Sequence, residues 1–532
     1  MSSYMQTPSP QNVPLRPLNK GMIRNISPQM LPLGAFYSAE GVYITENGPQ
    51  RRDGFNPVGT QLPFADGLIL DGLNFNNDGE KETLIMTETD LVRFTTKNGF
   101  TTITGGDSCF NGNRIYSIDH TIVPTSSGYS ALFTDGDSYI RQYDGTEVTT
   151  FIEDFTNPLT LEYFNNYLWV GAPDSSHLNR LVWSNLDDSE TFDGSNYLDF
   201  LEEQEEILRV KGLGNLLVVY FPKAIYFGRP TNRVDLPYAF TRIETGQIGL
   251  VGRKALVSWD DGHFFVGGDD IYYFSATAAL QPIGAAVIKE MLRGCSFREG
   301  IYAAVDPVND SIVFGIPGYD QTIDQLWFFN YKSKAWSKTQ LSCSAILSFG
   351  VYNEHEWGDT VMTLDGEVID MWDGAGAGET DFESEGWTSW KSLESGLSTL
   401  DLFVAVDNQL FQSDGLINRD FINSPIDVLL ESGDLDLDLP DTDKTFNRLS
   451  MKVDRVVGGV INFALYTSPN RGRTWEYKGD LVVPADEDEG KVNFRATGST
   501  FRFRLVSNSN VDAYIINEII LRGRPRGLEV QG

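Results

Sequence analysis

Hydrolytic chemistry in this chain would have to come from its carboxylates. A hydrolase needs a nucleophile beside a base, two carboxylates held at a fixed separation, or a metal carrying a water. Two dense acidic runs could supply a carboxylate pair: FLEEQEEI, with Glu202, Glu203, Glu205 and Glu206, and ADEDEG, with Asp486, Glu487, Asp488 and Glu489. A third stretch, LDLDLP, alternates Asp434, Asp436 and Asp438, with Asp441 nearby. As a strand it would turn its carboxylates to one face and offer oxygens to a cation. The first two runs read as exposed turns or loop tips and the third as an exposed strand face, settings in which charge is solvated and does no chemistry.

Other catalytic patterns are absent. There is no G-x-S-x-G elbow, no H-E-x-x-H pair and no phosphate-cradling G-x-x-x-x-G-K-[ST]. Cys109, Cys295 and Cys343 lie far apart, and His120, His177, His263 and His355 are equally scattered. The expectation is free thiols, no metal and no cofactor. RRDGF, Arg51 to Phe55, could bind phosphate or simply turn the chain between strands.

TSPNRGRTWE, residues 467–476, holds Ser468, Asn470, Gly472, Thr474 and Trp475, which match S-x-D-x-G-x-T-W with Asn in place of Asp. The pattern resembles the Asp box of sialidases and other β-propellers. Physically it is a hairpin device: Asn470 folds its side chain onto nearby backbone amides, Gly472 takes positive φ, and Trp475 packs under the turn. A sialidase would repeat the box once per blade and grip a substrate carboxylate with arginines from several blades. Here there is one clear copy, and nothing singles out Arg141, Arg180, Arg229 or Arg253. The expectation is a protein that is not an enzyme. A propeller glycosidase or depolymerase is the alternative from the enzyme class.

The elements that position these residues are strands. The 532 residues include 33 Phe, 22 Tyr, 10 Trp and 51 Gly, a composition suited to many short strands joined by tight turns. A unit of polar turn and aromatic-ended strand recurs at Phe94, Tyr143, Trp183, Phe227, Phe274, Phe329 and Trp372, at intervals of roughly 40–55 residues, the length of a four-stranded propeller blade. The chain therefore reads as all-β: a propeller of about seven blades, six or eight being open, over 36–373, with an additional C-terminal sandwich of jelly-roll type over 424–532. Residues 1–35 read as an extended arm able to lie on a neighbouring subunit or domain, and 374–423 as a linker with an irregular β region.

The net charge of −33 argues against a protein that grips DNA or RNA along its phosphates, which needs a clustered Lys/Arg surface, though not against one that DNA slides past. The N-terminus lacks a signal-peptide pattern, and no run of about 18 apolar residues occurs. A soluble chain without stable membrane insertion is expected.

The order of several passages resembles the tail nozzle, or tail-hub, proteins of short-tailed bacteriophages, the packaged-DNA stabilisation family. The passages are MLPLGAFYSAEGVYITENGPQRRDGF, NRLVWSNLDDSETFDGSNYLDF, ILRVKGLGNLLVVYFPKAIYFGRP, ALVSWDDGHFFVGGDDIYYFS and FALYTSPNRGRTWEY. The resemblance implies a β-propeller with a further β-domain, assembled as a ring of about six copies beneath the portal and its adaptor. Such a ring extends the DNA channel, holds the packaged genome, passes it during ejection and offers attachment to fibres or a spike. It implies a virion tail component assembled in the host cytoplasm, with non-specific, transient passage of duplex DNA. The two acidic loops at 202–206 and 486–489 would then face the bore and repel phosphates over about 8 Å at physiological salt. A tail-associated adhesin with a sugar-binding sandwich is the alternative from the binding class.

Overall fold

The computed structural model describes residues 11–525, apart from 59–61, 63–67, 78–79, 96–98, 113–117, 232, 234, 244–245, 320–321, 351–360, 365–366, 371–399, 416–418, 422–423, 437–441, 456–458 and 508–513. The short strands pair into seven antiparallel four-stranded blades. Blades one to five are contiguous in sequence, at 69–102, 119–152, 160–199, 209–242 and 256–282; blade six spans 302–343. In most of the ring the first strands of successive blades pack together, and 345–349 of blade seven packs on 69–77 of blade one, closing the circle. Blades four and five meet through Tyr220, whose ring lies 5.3 Å from that of Phe265.

The aromatic-ended unit corresponds to one structural position. Phe94, Tyr143, Trp183, Phe227, Phe274 and Phe329 all lie on the third strand of their blades. Their rings fill the space between blades, as where Tyr143 of blade two meets Phe75 of blade one at 5.5 Å, edge to face. The seventh landmark, Trp372, lies outside the described residues. The third strand of blade seven is 409–414, whose aromatic is the buried Phe411.

Blade seven departs from the sequence expectation in two ways. Its first strand, 345–349, is followed in the sheet by 401–406, so the first half of the presumed linker at 374–423 interrupts the blade and 401–414 belongs to it. Its outermost strand is supplied from the far end of the chain, by 54–58, with Leu410 opposite Val58 and Gln412 opposite Asn56. The ring is thus closed by pairing of its last blade with a strand from early in the chain. At the junction Gly72 of blade one faces the ring of Phe349, where a Cβ would come within 2.7 Å of the ring.

The propeller also does not begin at residue 36. Strand 36–40 pairs with 428–432, and 42–45 and 48–51 pair within a sheet whose centre is 514–525, so 36–51 belong to the C-terminal sandwich. One sandwich sheet runs 36–40, 428–432, 502–507, 461–468, 476–483; the other runs 42–45, 48–51, 514–525, 444–455, 489–498. Their inner faces meet through Phe446 stacked on Phe501 at 4.3 Å and Phe463 edge-on to Tyr514 at 5.7 Å. The arm does not project from the chain at 11–15: Gln11–Leu15 lies antiparallel on 519–523 of its own sandwich. Strand 36–40 has a second partner, pairing in parallel at Glu40 with Lys338 of blade six. A single nine-stranded sheet therefore runs from propeller into sandwich. All three cysteines are free.

Candidate functional site

Charged residues at or near the start of the first strands of blades one to five meet at the propeller axis. Asp71 of blade one contacts Lys254, which leads into blade five, and His120 of blade two at 3.3 Å. Asp119 of blade two accepts a 3.1 Å contact from Arg209 of blade four and bonds from the Thr160 hydroxyl and Leu161 amide of blade three, at 2.6 and 3.1 Å. Glu162 of blade three holds Lys211 of blade four at 2.7 Å. Burial alone would raise both aspartates, but Lys254 and then His120 hold Asp71 well below the usual carboxylate range, and Arg209 and then Lys211 lower Asp119. Asp71–Lys254 joins blades one and five, and Asp119–Arg209 joins two and four. The arrangement ties non-adjacent blades together across the axis and pairs every cation with a carboxylate. Chemically it can do little else: it presents neither a nucleophile beside a base nor an open set of metal ligands.

These residues escaped the sequence reading because each belongs to a different repeat. The signal was nevertheless present: aligned on their aromatic ends, all of the first five repeats carry a charge at or near the start of the first strand, where apolar residues otherwise dominate.

A second buried polar cluster forms where the ring closes. Arg52 of RRDGF makes a bidentate pair with Asp420, one arm at 2.8 Å, and its Nε reaches Thr339 at 3.2 Å. The guanidinium is thus committed to a carboxylate rather than free for phosphate. Beside it, Asn309 Nδ2 donates to both Asp53 and Asp306, at 2.7 and 2.9 Å, and Tyr43 donates to Asp306 at 3.2 Å. Burial and then the neighbouring Asp53 charge push the Asp306 carboxyl up to about 6. Two carboxylates with a raised acid are the parts of a glycosidase. Here they are 6% and 1% exposed, enclosed where no glycan reaches.

The two acidic loops differ. Glu203 accepts from Tyr226 at 2.9 Å and faces Arg242, Glu205 pairs with Lys223, and Glu206 pairs with Arg253 at 2.7 Å; Glu202 is exposed. The first loop is thus pinned to its blade by cations. The second, Asp486 to Glu489, is an exposed connection between 476–483 and 489–498, held at its base by Arg455, which donates to the carbonyls of Pro484 and Glu487. The structure does not bring the two loops together. Of the LDLDLP carboxylates, Asp434 is buried against Arg502 at 2.8 Å; Asp438 and Asp441 lie outside the described residues.

The Asp-box-like turn joins 461–468 to 476–483. Asn470 Oδ1 accepts from the Thr474 amide at 3.0 Å, Ser468 Oγ accepts from the Gly472 amide at 2.9 Å, and Gly472 has φ +79°. Trp475 lies beneath Arg504, whose guanidinium carbon is 4.2 Å from the ring centroid. The arginines of the sialidase idea do not converge: Arg141 bonds Cys109 O and Thr150, Arg180 pairs with Asp199, Arg229 lies over Phe227, and Arg253 holds Glu206.

No family model matches the chain, and no curated protein matches it. Among solved structures it is similar to the extracellular domain of a one-component system from B. thetaiotaomicron (TM-score 0.40, 12% identity, covering 82% of this chain and 49% of that one). It is also similar to the WD40 domain of Neurospora crassa Pan2 (0.36, 10%, 68% and 96%) and to BBS1N in its complex with ARL6DN (0.37, 10%, 70% and 98%). The chain spans about half the length of the first of these.

Proposed function

We propose that this chain is a structural component of a short-tailed bacteriophage tail, a nozzle protein that assembles as a ring of about six copies below the portal and adaptor. The ring retains packaged DNA and passes it during ejection. One observation supports the reading most: the passage at 30–55 that carries the resemblance is the part of the chain that joins propeller to sandwich. Its residues 36–40 bridge the two in one sheet, 42–51 build the sandwich, Arg52 locks onto Asp420, and 54–58 begins with Gly54 and Phe55 and completes blade seven. A rigid two-domain subunit of this kind suits a ring under internal pressure. The ion pairs across the propeller axis add a constraint. A duplex cannot run through a single propeller, so the conduit is the space enclosed by several copies.

The adhesin reading draws on one observation. Tyr477 is 52% exposed on the sandwich and lies 5.6 Å from the ring of Tyr466, with Trp475 and Arg504 beside it, an aromatic surface of the sort that stacks on sugars. The test is gold labelling of a C-terminal tag on intact particles, read by electron microscopy together with copy number. Axial label at one vertex with about six copies supports the nozzle. Peripheral label in multiples of three promotes the adhesin, and no label on particles ends both.

A further inference from the structure

In a chain of net charge −33, the outward face of the second sandwich sheet has the opposite character. Strand 489–498 alternates buried Val492 and Ala496 with exposed Lys491, Asn493 and Arg495. In the neighbouring strand Arg448 stands opposite Asn493, and on its other side it stands directly opposite Arg522, which is in turn opposite Asn12 of the arm. Arg524 follows two residues along. Opposed residues share a face, so five cations occupy one flat surface, with strands about 4.8 Å apart and successive outward residues about 6.8 Å apart.

Placing Arg448 opposite Arg522 costs stability, because like charges directly across a sheet repel. Among the described residues none of the five cations is paired with a carboxylate: Arg448 Nε donates to Asn493 Oδ1 at 2.9 Å, and the buried Nε of Arg522 is without a hydrogen-bond partner. The nearest acids on this face, Glu489 and Glu518, lie one row further on, where Lys452 and Arg16 neutralise Glu518 at 3.1 and 3.3 Å. The remaining outward positions are Asn12, Asn493, Ser450, Pro14 and Ile520, and no exposed large apolar side chain lies here. A protein partner would want an aromatic or apolar anchor at its centre. Arginine, lysine, asparagine and serine without such an anchor is the composition that contacts phosphates.

We infer that this sheet face docks the phosphate backbone of duplex DNA, without sequence preference and in a salt-dependent manner. The inference adds to the conduit reading the surface that touches DNA, with the opposite sign of charge to the acidic loops first suspected of that role. It stands or falls separately from virion location.

The test uses the purified full chain and a fluorescent duplex of about 30 base pairs and arbitrary sequence, read by anisotropy. With four or five phosphate contacts, affinity falls roughly 10²-fold or more between 50 and 200 mM salt. Lys491→Glu/Arg495→Glu changes two exposed side chains and weakens binding at 50 mM salt by more than 10-fold, and Arg448→Gln/Arg522→Gln does the same from the next strands. Arg233→Glu, on the propeller, leaves binding unchanged. Absence of salt-dependent binding by the unaltered chain overturns the inference, as does binding by both double variants as tight as that of the parent. Sedimentation separates the remaining occupant: self-association abolished by the same variants, with no DNA bound, would assign the face to a second copy and overturn the inference. Axial label on particles combined with no DNA binding would remove this face and leave the nozzle; the reverse result would do the opposite.

Discussion

Charges at the propeller axis and charges on the outer sandwich face obey opposite rules. At the axis, Asp71, Asp119 and Glu162 each hold a cation in an ion pair within the protein. On the sandwich, Arg448 and Arg522 oppose each other and, among the described residues, no carboxylate pairs with them. Paired, buried charge is a feature of the fold; removing one partner strands the other in a poor solvent. Half-buried like charge without a carboxylate costs stability, so its presence asks for an external anion. The same residue types are therefore structural in one region and free to bind in the other.

Breaking the axis tests the first half of this contrast and gives the largest effect. Asp71→Ala leaves Lys254 buried without its carboxylate and lowers stability by about 3 kcal/mol or more in urea unfolding, whereas Asp71→Leu/Lys254→Met recovers most of the loss. An equal loss in single and double variants would show that the pair is not coupled.

The closure cluster sharpens the contrast, because there a buried carboxyl is poorly compensated. With its folded pKa raised to about 6 from 3.8, Asp306 contributes stability below pH 4 that disappears as pH rises through 6. The contribution is about 3 kcal/mol. Asp306→Asn keeps an oxygen acceptor for Tyr43 and Asn309 and removes this fall, so that stability rises more steeply between pH 4 and 6 than in the parent; a profile unchanged from the parent's would reassign the titration. His263 acts in the other direction. Buried between Tyr220 OH and Gly212 O at 2.8 and 3.1 Å, it is lowered to about 4 by burial. Its contribution is complete above pH 6.5 and is lost as pH falls toward 4, opposing that of Asp306 over the same window, so His263→Gln leaves the Asp306 fall with rising pH unopposed.

Smaller effects belong to the sandwich. Asn470→Ala removes the side-chain acceptor of the Thr474 amide and costs about 1 kcal/mol, the range for a lost local capping bond. Lys491→Glu/Arg495→Glu, so damaging to DNA binding, shifts the melting midpoint by no more than the equivalent of about 0.5 kcal/mol. A large destabilisation there would mean that the cations serve the fold after all.

The repeat architecture was legible because its signal is local. Each aromatic end reports a third strand, and six of the seven landmarks fall on one structural position. The seventh failed because residues between 349 and 401 interrupt blade seven, moving its aromatic from the expected spacing to Phe411. Pairings between distant segments left no local mark. Strand 36–40 alternates like any other, and nothing in its five residues announces partners at 338 and 428–432. The axial ion pairs were hidden for the same reason, since Asp71 and Lys254 are 183 residues apart. The Asp-box-like turn, by contrast, was readable from ten consecutive residues.

The closure of blade seven by 54–58 also sets a timetable. At roughly 5–20 residues per second, a ribosome needs tens of seconds between finishing that strand and finishing its partner at 409–414. Strand 36–40 must wait longer, until 428–432 emerges, and the arm at 11–15 waits for the end of the chain. While six blades assemble, the arm at 11–15 and strand 36–40 lack their sandwich partners. The N-terminus is thus the last piece to dock, and its arrival marks the moment at which the subunit is finished.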